Sequence, residues 1–283
     1  MYKSLSFEVN GRRLAAMEWG SPEGPPVLAL HGWLDNAASF TRLSEYLPQC
    51  RLIAIDLAGH GFSDHRPAGT HYYIWDNVAD VLAVADQLGL KRFSLAGHSM
   101  GAGISMLIAG AFAERVEQLF LIDGLAPLDY AADELPVLMA QAIDKRARMG
   151  RRTLRPYTSF EQAVQVRMGG RWPVSRQAAL WLLERGLREQ DGGWYWRSDS
   201  ALMLPSVVRL CEAQIEAFLR RISAPVLVVM ADRGIGLERV EAQVGLIDNV
   251  ELRVLPGTHH LHLEQEAAVL IAKLMNDRLH CAA

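Results

Sequence analysis

The sequence predicts an α/β fold: a mostly parallel sheet flanked by helices, with a helical cap inserted late in the chain. Short apolar runs alternate with helix-like stretches over the first 126 residues. Most of these runs are apolar on both faces, as strands covered on both sides must be. The alternation then gives way to helical patterning and resumes near residue 222. The expected organisation is therefore a core of residues 1–126 and 222–283 with a cap of residues 127–221.

Ser6 to Val9 and Arg13 to Glu18 read as a hairpin around Asn10-Gly11, a strong turn pair. Pro26 to Leu30 is an apolar run ending at His31-Gly32, and Arg51 to Asp56 is another ending at Gly59-His60-Gly61. Phe93 to Ala96 runs into Gly97-His98-Ser99, and Gln118 to Ile122 into Asp123-Gly124. Helix-like stretches lie between them, roughly Ala37 to Tyr46, Ile74 to Leu88 and Gly101 to Arg115. The inserted region reads as helices, with loops at Arg171-Trp172-Pro173 and Asp191-Gly192-Gly193. Strand signals return at Pro225 to Met230 and Val250 to Leu255, and a last helix runs from Leu263 to Leu279.

Composition narrows the function. Half of the 283 residues are hydrophobic and 22% are charged, enough apolar material for a sizeable core. The 29 basic and 32 acidic residues leave a formal charge of −3, which speaks against a nucleic-acid partner. Cys50, Cys211 and Cys281 are widely spaced and form no C-x-x-C pair, so neither a disulfide framework nor a zinc site is expected. No signal-peptide core and no membrane-length apolar run are present. A cytoplasmic protein without stable membrane anchoring is the expectation.

Gly97-His98-Ser99-Met100-Gly101 reads G-x-S-x-G between an apolar run and a helix rich in small residues. A serine raised on a tight strand-to-helix turn strains the backbone, so the residues two away must be small. Such a turn lifts the hydroxyl above the carboxyl ends of the strands, where open α/β sheets bind ligands. It also sets Ser99 at a helix N-terminus, whose free N–H groups favour an oxyanion. A chance Gly/Ser turn would lack this flanking context. Ser99 is the candidate nucleophile and needs a base. His259, on the loop after the last predicted strand, is the candidate, with His260 as the alternative. His259-His260-x-His262 has no carboxylate or cysteine at ligand spacing, so no metal is expected.

Four motifs in order resemble the α/β-hydrolase superfamily across nearly the whole chain. They are His31-Gly32-Trp33, Asp56-Leu57-Ala58-Gly59-His60-Gly61-Phe62-Ser63, Gly97 to Gly101, and Gly257-Thr258-His259, with Glu264 at the usual distance after the histidine. The stretch His31 to Phe40 is similar to the serine hydrolase-like branch. The resemblance implies a mostly parallel eight-stranded sheet and an oxyanion hole formed by the backbone N–H groups of Trp33 and Met100. It implies no metal or organic cofactor. His31, His60 and His98 read as loop-holding residues rather than proton carriers. Related dehalogenases and epoxide hydrolases carry aspartate where this chain has Ser99, so serine points to acyl transfer.

The family's usual acid position, after the penultimate strand, falls here on Gly234. Two replacements are available. Asp123 ends the strand after the nucleophile helix, where some branches carry the acid, and Asp232 lies two residues before Gly234. A strand-end position beside the nucleophile's strand favours Asp123.

The cap contains Trp172, Trp181, Trp194, Tyr195 and Trp196. Most would serve as cap core, with Trp194 and Trp196 as the substrate-binding candidates. Lys145, Arg146, Arg148, Arg151, Arg152 and Arg155 form a basic cluster, either a solvated surface or a dock for an anionic substrate group. The expected activity is hydrolysis of a small or medium carboxylic ester or thioester through an acyl-enzyme, by a monomer or homodimer. Amide, lactone or carbon–carbon cleavage on the same triad is one alternative, and a binding protein on a hydrolase scaffold is the other.

Overall fold

The computed structural model describes residues 1–149 and 156–279. Among the described residues ten strands are present: β1 (Lys3–Val9), β2 (Arg12–Gly20), β3 (Pro26–Leu30), β4 (Arg51–Ile55), β5 (Phe93–His98), β6 (Val116–Ile122), β7 (Leu187–Gln190), β8 (Gly193–Trp196), β9 (Val226–Arg233) and β10 (Val250–Thr258). Eight of them form one sheet in the order β1-β2-β4-β3-β5-β6-β9-β10. The β1–β2 and β2–β4 pairs are antiparallel and the remaining pairs are parallel. The first hairpin turns at Asn10 (φ 50°) and Gly11 (φ 72°), both in the left-handed region that a two-residue hairpin loop requires.

The helices are α1 (Thr41–Ser44), α2 (Asp76–Gln87), α3 (Met100–Ala111), α4 (Leu135–Met149), α5 (Phe160–Met168), α6 (Arg176–Gly186), α7 (Glu212–Leu219), α8 (Leu237–Val244) and α9 (Gln265–Leu279). Period-two packing of the strands separates two apolar layers. Leu28, Leu30, Leu119, Leu121, Val226 and Val228 face one layer with Val84 of α2, Ile104 and Ile108 of α3, and Val240 of α8. Val27, Ala29, Phe120, Ile122, Leu227 and Val229 face the other with Leu43 of α1 and Ile271 and Met275 of α9. This two-sided burial is why the strands read as continuous apolar runs.

The connection between β6 and β9 departs from its all-helical expectation. It contains the β7–β8 hairpin, turned at Asp191 (φ 49°) and Gly192 (φ 75°). Asp191-Gly192, expected as a loop between helices, is the two-residue turn of this hairpin. The connection has its own cluster around Ala163, Val164, Leu182, Leu183 and Leu187. α7, although inside residues 127–221, sends Ile215 and Leu219 into the layer of α3. α8 is a further helix, between β9 and β10. No described helix is long and apolar enough to cross a membrane.

Candidate active site

β5 and β6 lie side by side in parallel, with His98 opposite Ile122. Each strand ends in a residue forced out of ordinary backbone space. Ser99 has φ 54° and ψ −112°, and Asp123 has φ 43°. Such conformations are costly for non-glycine residues and persist only where surrounding bonds fix them. Here the Ser99 N–H donates to Ile122 O at 3.0 Å and the Asp123 N–H to Val229 O at 2.8 Å. The chain then enters α3 directly, with Ser99 as its N-cap. A Cβ on Gly97 would strike the Gly101 carbonyl, and one on Gly101 would strike the Leu30 carbonyl. The motif glycines are therefore required by close approach.

His259 arrives from the far side of the sheet. β10 breaks register between Leu255 and Thr258, with Gly257 at φ 152°, and this irregularity delivers His259 over the β6 end. Its Nδ1 lies 2.6 Å from Asp123 Oδ2, and both residues are buried. The Asp123 carboxylate also accepts the Ala231 N–H at 2.9 Å and the Ile235 N–H at 3.1 Å. With Nδ1 donating to this carboxylate, His259 Nε2 keeps a free lone pair. Ser99 Oγ and His259 are not hydrogen-bonded in this arrangement, as is common in hydrolase sites before substrate tightens them. Their surroundings are nevertheless joined. His98, next to Ser99, donates from Nε2 to His259 O at 2.8 Å, and the two rings lie 4.7 Å apart.

Gly234 explains the vacant acid position. A Cβ there would fall on the Asp123 carboxylate, so any side chain at residue 234 competes with Asp123 for the same space. Asp232, the alternative acid, is half-exposed and otherwise engaged. It accepts the Gly257 N–H at 2.8 Å and lies 3.6 Å from the Arg233 guanidinium. That bond braces the irregular end of β10.

The N–H groups of Trp33 and Met100 have no acceptor among the described residues. Met100 opens α3, where a helix leaves its first N–H groups unpaired. Around Trp33, the loop commits its other donors elsewhere. Asp35 N–H goes to Gly32 O at 3.1 Å, and Leu34 N–H to His60 Nε2 at 3.3 Å. His31 donates from Nδ1 to Gly32 O at 2.8 Å and accepts the Leu57 N–H. Burial pushes the imidazoles of His31 and His60 down to about 4 and about 3, and those of His98 and His262 well below their ordinary value. These four rings are neutral fixtures.

His260, the alternative base, is engaged with Asp35 Oδ2 at 3.0 Å and Arg167 of α5 at 3.1 Å. Burial alone would raise the Asp35 carboxyl. His260, Arg167 and His31 outweigh it and hold the carboxyl well below the usual range. Asp35, His98 and His260 bring potential metal-ligand atoms within 4.8 Å of one another, so a carboxylate does reach the histidine cluster, from 225 residues away in sequence. The Arg167 guanidinium, 3.4 Å from Asp35 Oδ1, already supplies the positive charge a cation would bring.

Polar bonds tie the connection to this edge. Trp33 Nε1 donates to Leu202 O at 3.0 Å, Asn36 Nδ2 to Leu182 O at 2.8 Å, and Ser175 N to Glu264 Oε1 at 2.8 Å. Arg185 of α6 meets the fully buried Asp56 at 2.8–3.0 Å, and Asp56 also accepts the Ala37 and Phe62 N–H groups. Trp172 of the connection approaches the site, its ring 5.2 Å from that of His259. Trp194 and Trp196 lie elsewhere. Trp194 packs on Phe160 and Trp196 on Tyr157 within the connection's own cluster. Among the described residues, no ring contact joins these two expected substrate residues to the histidines beside Ser99. In the basic cluster, Arg146 bonds the carbonyls of Gly69 and Thr70 and Arg148 faces Asp144, while Arg151, Arg152 and Arg155 lie outside the described residues.

Comparison with known proteins agrees with this geometry. The alpha/beta hydrolase fold family matches residues 25–155. A serine hydrolase-like protein of Danio rerio is 32% identical over 270 residues, covering 90% of this chain and 82% of that protein. The chain belongs to the α/β-hydrolase superfamily, in its serine hydrolase-like branch. This serine hydrolase-like chain is also close to a solved hypothetical protein of Pseudomonas aeruginosa PAO1, with a TM-score of 0.93 and 42% identity over 99% of this chain and 100% of that one. A thioesterase domain from the curacin biosynthetic pathway superposes with a TM-score of 0.83 at 25% identity, over 98% of this chain and 99% of that one. Together these relatives support a hydrolase.

Proposed function

We propose that the protein hydrolyses a small or medium carboxylic ester or thioester through an acyl-enzyme on Ser99. The observation that carries this reading is the His259–Asp123 pair at 2.6 Å, placed at the end of the strand beside the one that presents Ser99. Asp123 holds the His259 tautomer whose Nε2 faces outward as a base. That base takes the Ser99 proton as Oγ attacks the carbonyl carbon, and the oxyanion settles on the Trp33 and Met100 N–H groups. His259 then protonates the departing alcohol or thiol. A water, deprotonated by His259, releases the acid and restores Ser99. Ester and thioester substrates fit a mechanism that needs no resident cofactor, and the thioesterase domain with the same fold supports the thioester arm. The glycine at the usual acid position, which alone favoured a non-catalytic binding protein, is accounted for by Asp123 filling that space.

The connection between β6 and β9 serves in this proposal as a cap, with Trp172 and Trp33 rather than Trp194 and Trp196 facing the acyl group. Incubation with a fluorophosphonate, followed by intact-mass and peptide mapping, tests the reading. One adduct per chain at Ser99, absent in Ser99→Ala, is expected. An unreacted, folded protein toward both large and small phosphonates contradicts it.

A further inference from the structure

A cavity of about 530 Å³ opens at the junction of β1, the loop after β4 and the β7–β8 hairpin. Neither Ser99, His259, Trp33 nor Met100 lines it. Its lining carries four guanidinium groups, Arg13, Arg185, Arg188 and Arg197, against the single carboxylate of Asp64. This concentration stands out in a chain whose formal charge is −3.

The cations are unequally committed. Asp64 accepts the Arg13 N–H at 2.8 Å and lies 3.7 Å from the Arg13 guanidinium, so the cavity's one acid is engaged with its nearest base. Arg185, on the floor, is neutralised by Asp56. Among the described residues, neither Arg188 nor Arg197 forms an ion pair. The Arg188 side chain makes no hydrogen bond or ion pair with a described residue. Arg197 donates only its Nε, to Leu187 O at 2.9 Å, leaving both terminal nitrogens available.

Arg197 is nonetheless held in place. Its N–H donates to Gly186 O at 2.8 Å, its carbonyl accepts His65 Nε2–H at 2.7 Å, and its guanidinium lies 4.8 Å from the centre of the Phe62 ring. Arg185 lies 4.4 Å from the same ring. Two guanidinium groups are thus fixed around one aromatic ring in a partly desolvated cavity. Burial first, and then repulsion from Arg188 and Arg185, pushes the Arg197 guanidinium below its ordinary pKa. Asp56 is already paired with Arg185 and offsets this repulsion only in part, so an anion entering between the guanidinium groups is stabilised.

We propose that this cavity is a second binding site, separate from the Ser99 site, for a soluble small molecule bearing a phosphate or diphosphate group. Forked guanidinium donors match the several oxygens of a phosphoryl group better than the point charge of a lysine would. Ser4 and Ser6 on β1 also line the cavity and offer hydroxyl donors. The volume admits a group well beyond a single inorganic ion.

The test is calorimetric titration of the full chain with sodium pyrophosphate at low ionic strength. It is repeated on Arg188→Gln, Arg197→Gln, the double variant, and Arg253→Gln as a charge-matched control outside the cavity. Circular dichroism and fluorophosphonate labelling of Ser99 verify that each variant is folded. One saturable site is expected, weakened about tenfold by each cavity substitution, lost in the double variant and unchanged in the control. No saturable binding to the parent chain, equal weakening by Arg253→Gln, or binding to phosphatidate vesicles without binding to pyrophosphate would each overturn the proposal.

Discussion

At the carboxyl edge of the sheet, Ser99 and Asp123 both sit at positive φ on neighbouring strand ends, with Gly97, Gly101 and Gly234 cleared around them. In the connection between β6 and β9, Trp194 and Trp196 occupy a regular hairpin and pack against Phe160 and Tyr157. The first region stores strain and leaves N–H groups unpaired, which a fold tolerates where surrounding bonds over-determine it. The second satisfies ordinary packing and meets the first through a handful of polar bonds, chief among them Arg185 to Asp56 and Arg167 to Asp35. In the proposed function, chemistry falls to the rigid edge, where backbone geometry sets it, and selectivity to the side chains of the connection that lean over that edge.

Substitutions that remove this contrast should have unequal costs. Gly234→Ala puts a methyl group where the Asp123 carboxylate lies. Displacing that carboxylate by about an ångström should lower turnover on the order of 100-fold with little change in KM. Steady-state kinetics on a chromogenic ester would show it, and wild-type turnover would mean that Asp123 does not orient His259.

A pH titration of stability probes the same edge more broadly. The unfolded chain protonates its imidazoles near pH 6.5, whereas folded His31 waits until about 4 and His60 until about 3. The unfolded state therefore holds more protons between those values, and stability falls as pH drops below 6.5. Each such ring contributes a slope of up to about 1.4 kcal/mol per pH unit. Thermal melts from pH 8 to 4 should show a steep loss starting near pH 6.5. A flat profile down to pH 4 would contradict the neutral burial of these rings.

The smallest effect separates the tryptophans. Trp172→Ala should change KM several-fold and leave the melting temperature nearly unchanged, because its ring faces His259 rather than the connection's core. Trp194→Ala should do the reverse, losing stability by about 3 kcal/mol while activity per folded molecule holds. The opposite pattern would return Trp194 to the substrate pocket.

Much of the rigid edge is legible in the sequence because its constraints are local. G-x-S-x-G encodes its own turn, the strands carry their two-sided burial as unbroken apolar runs, and Asn10-Gly11 encodes its hairpin. Asp123 could be singled out because its position at a strand end is also local. What stayed hidden depends on contacts across long stretches of chain. Arg185 finds Asp56 over 129 residues, and Asp35 finds His260 over 225. No pattern within either segment announces these pairs. Asp191-Gly192 marks its loop locally, while the four-residue strands on either side are too short to carry a pattern of their own. Trp172 was visible as a residue, while its approach to His259 follows from how α5 and α6 settle on the core.

The central claim is that the acid partner of His259 sits at the end of β6 and not at the end of β9. The direct measurement is turnover of Asp123→Asn against Asp232→Asn, on folded protein and the same ester. Asp123→Asn should lose on the order of 10³–10⁴-fold in kcat through the wrong imidazole tautomer. Asp232→Asn, whose amide oxygen can still accept the Gly257 N–H, should stay within about threefold of the parent. A large loss in Asp232→Asn with a near-normal Asp123→Asn would contradict the account.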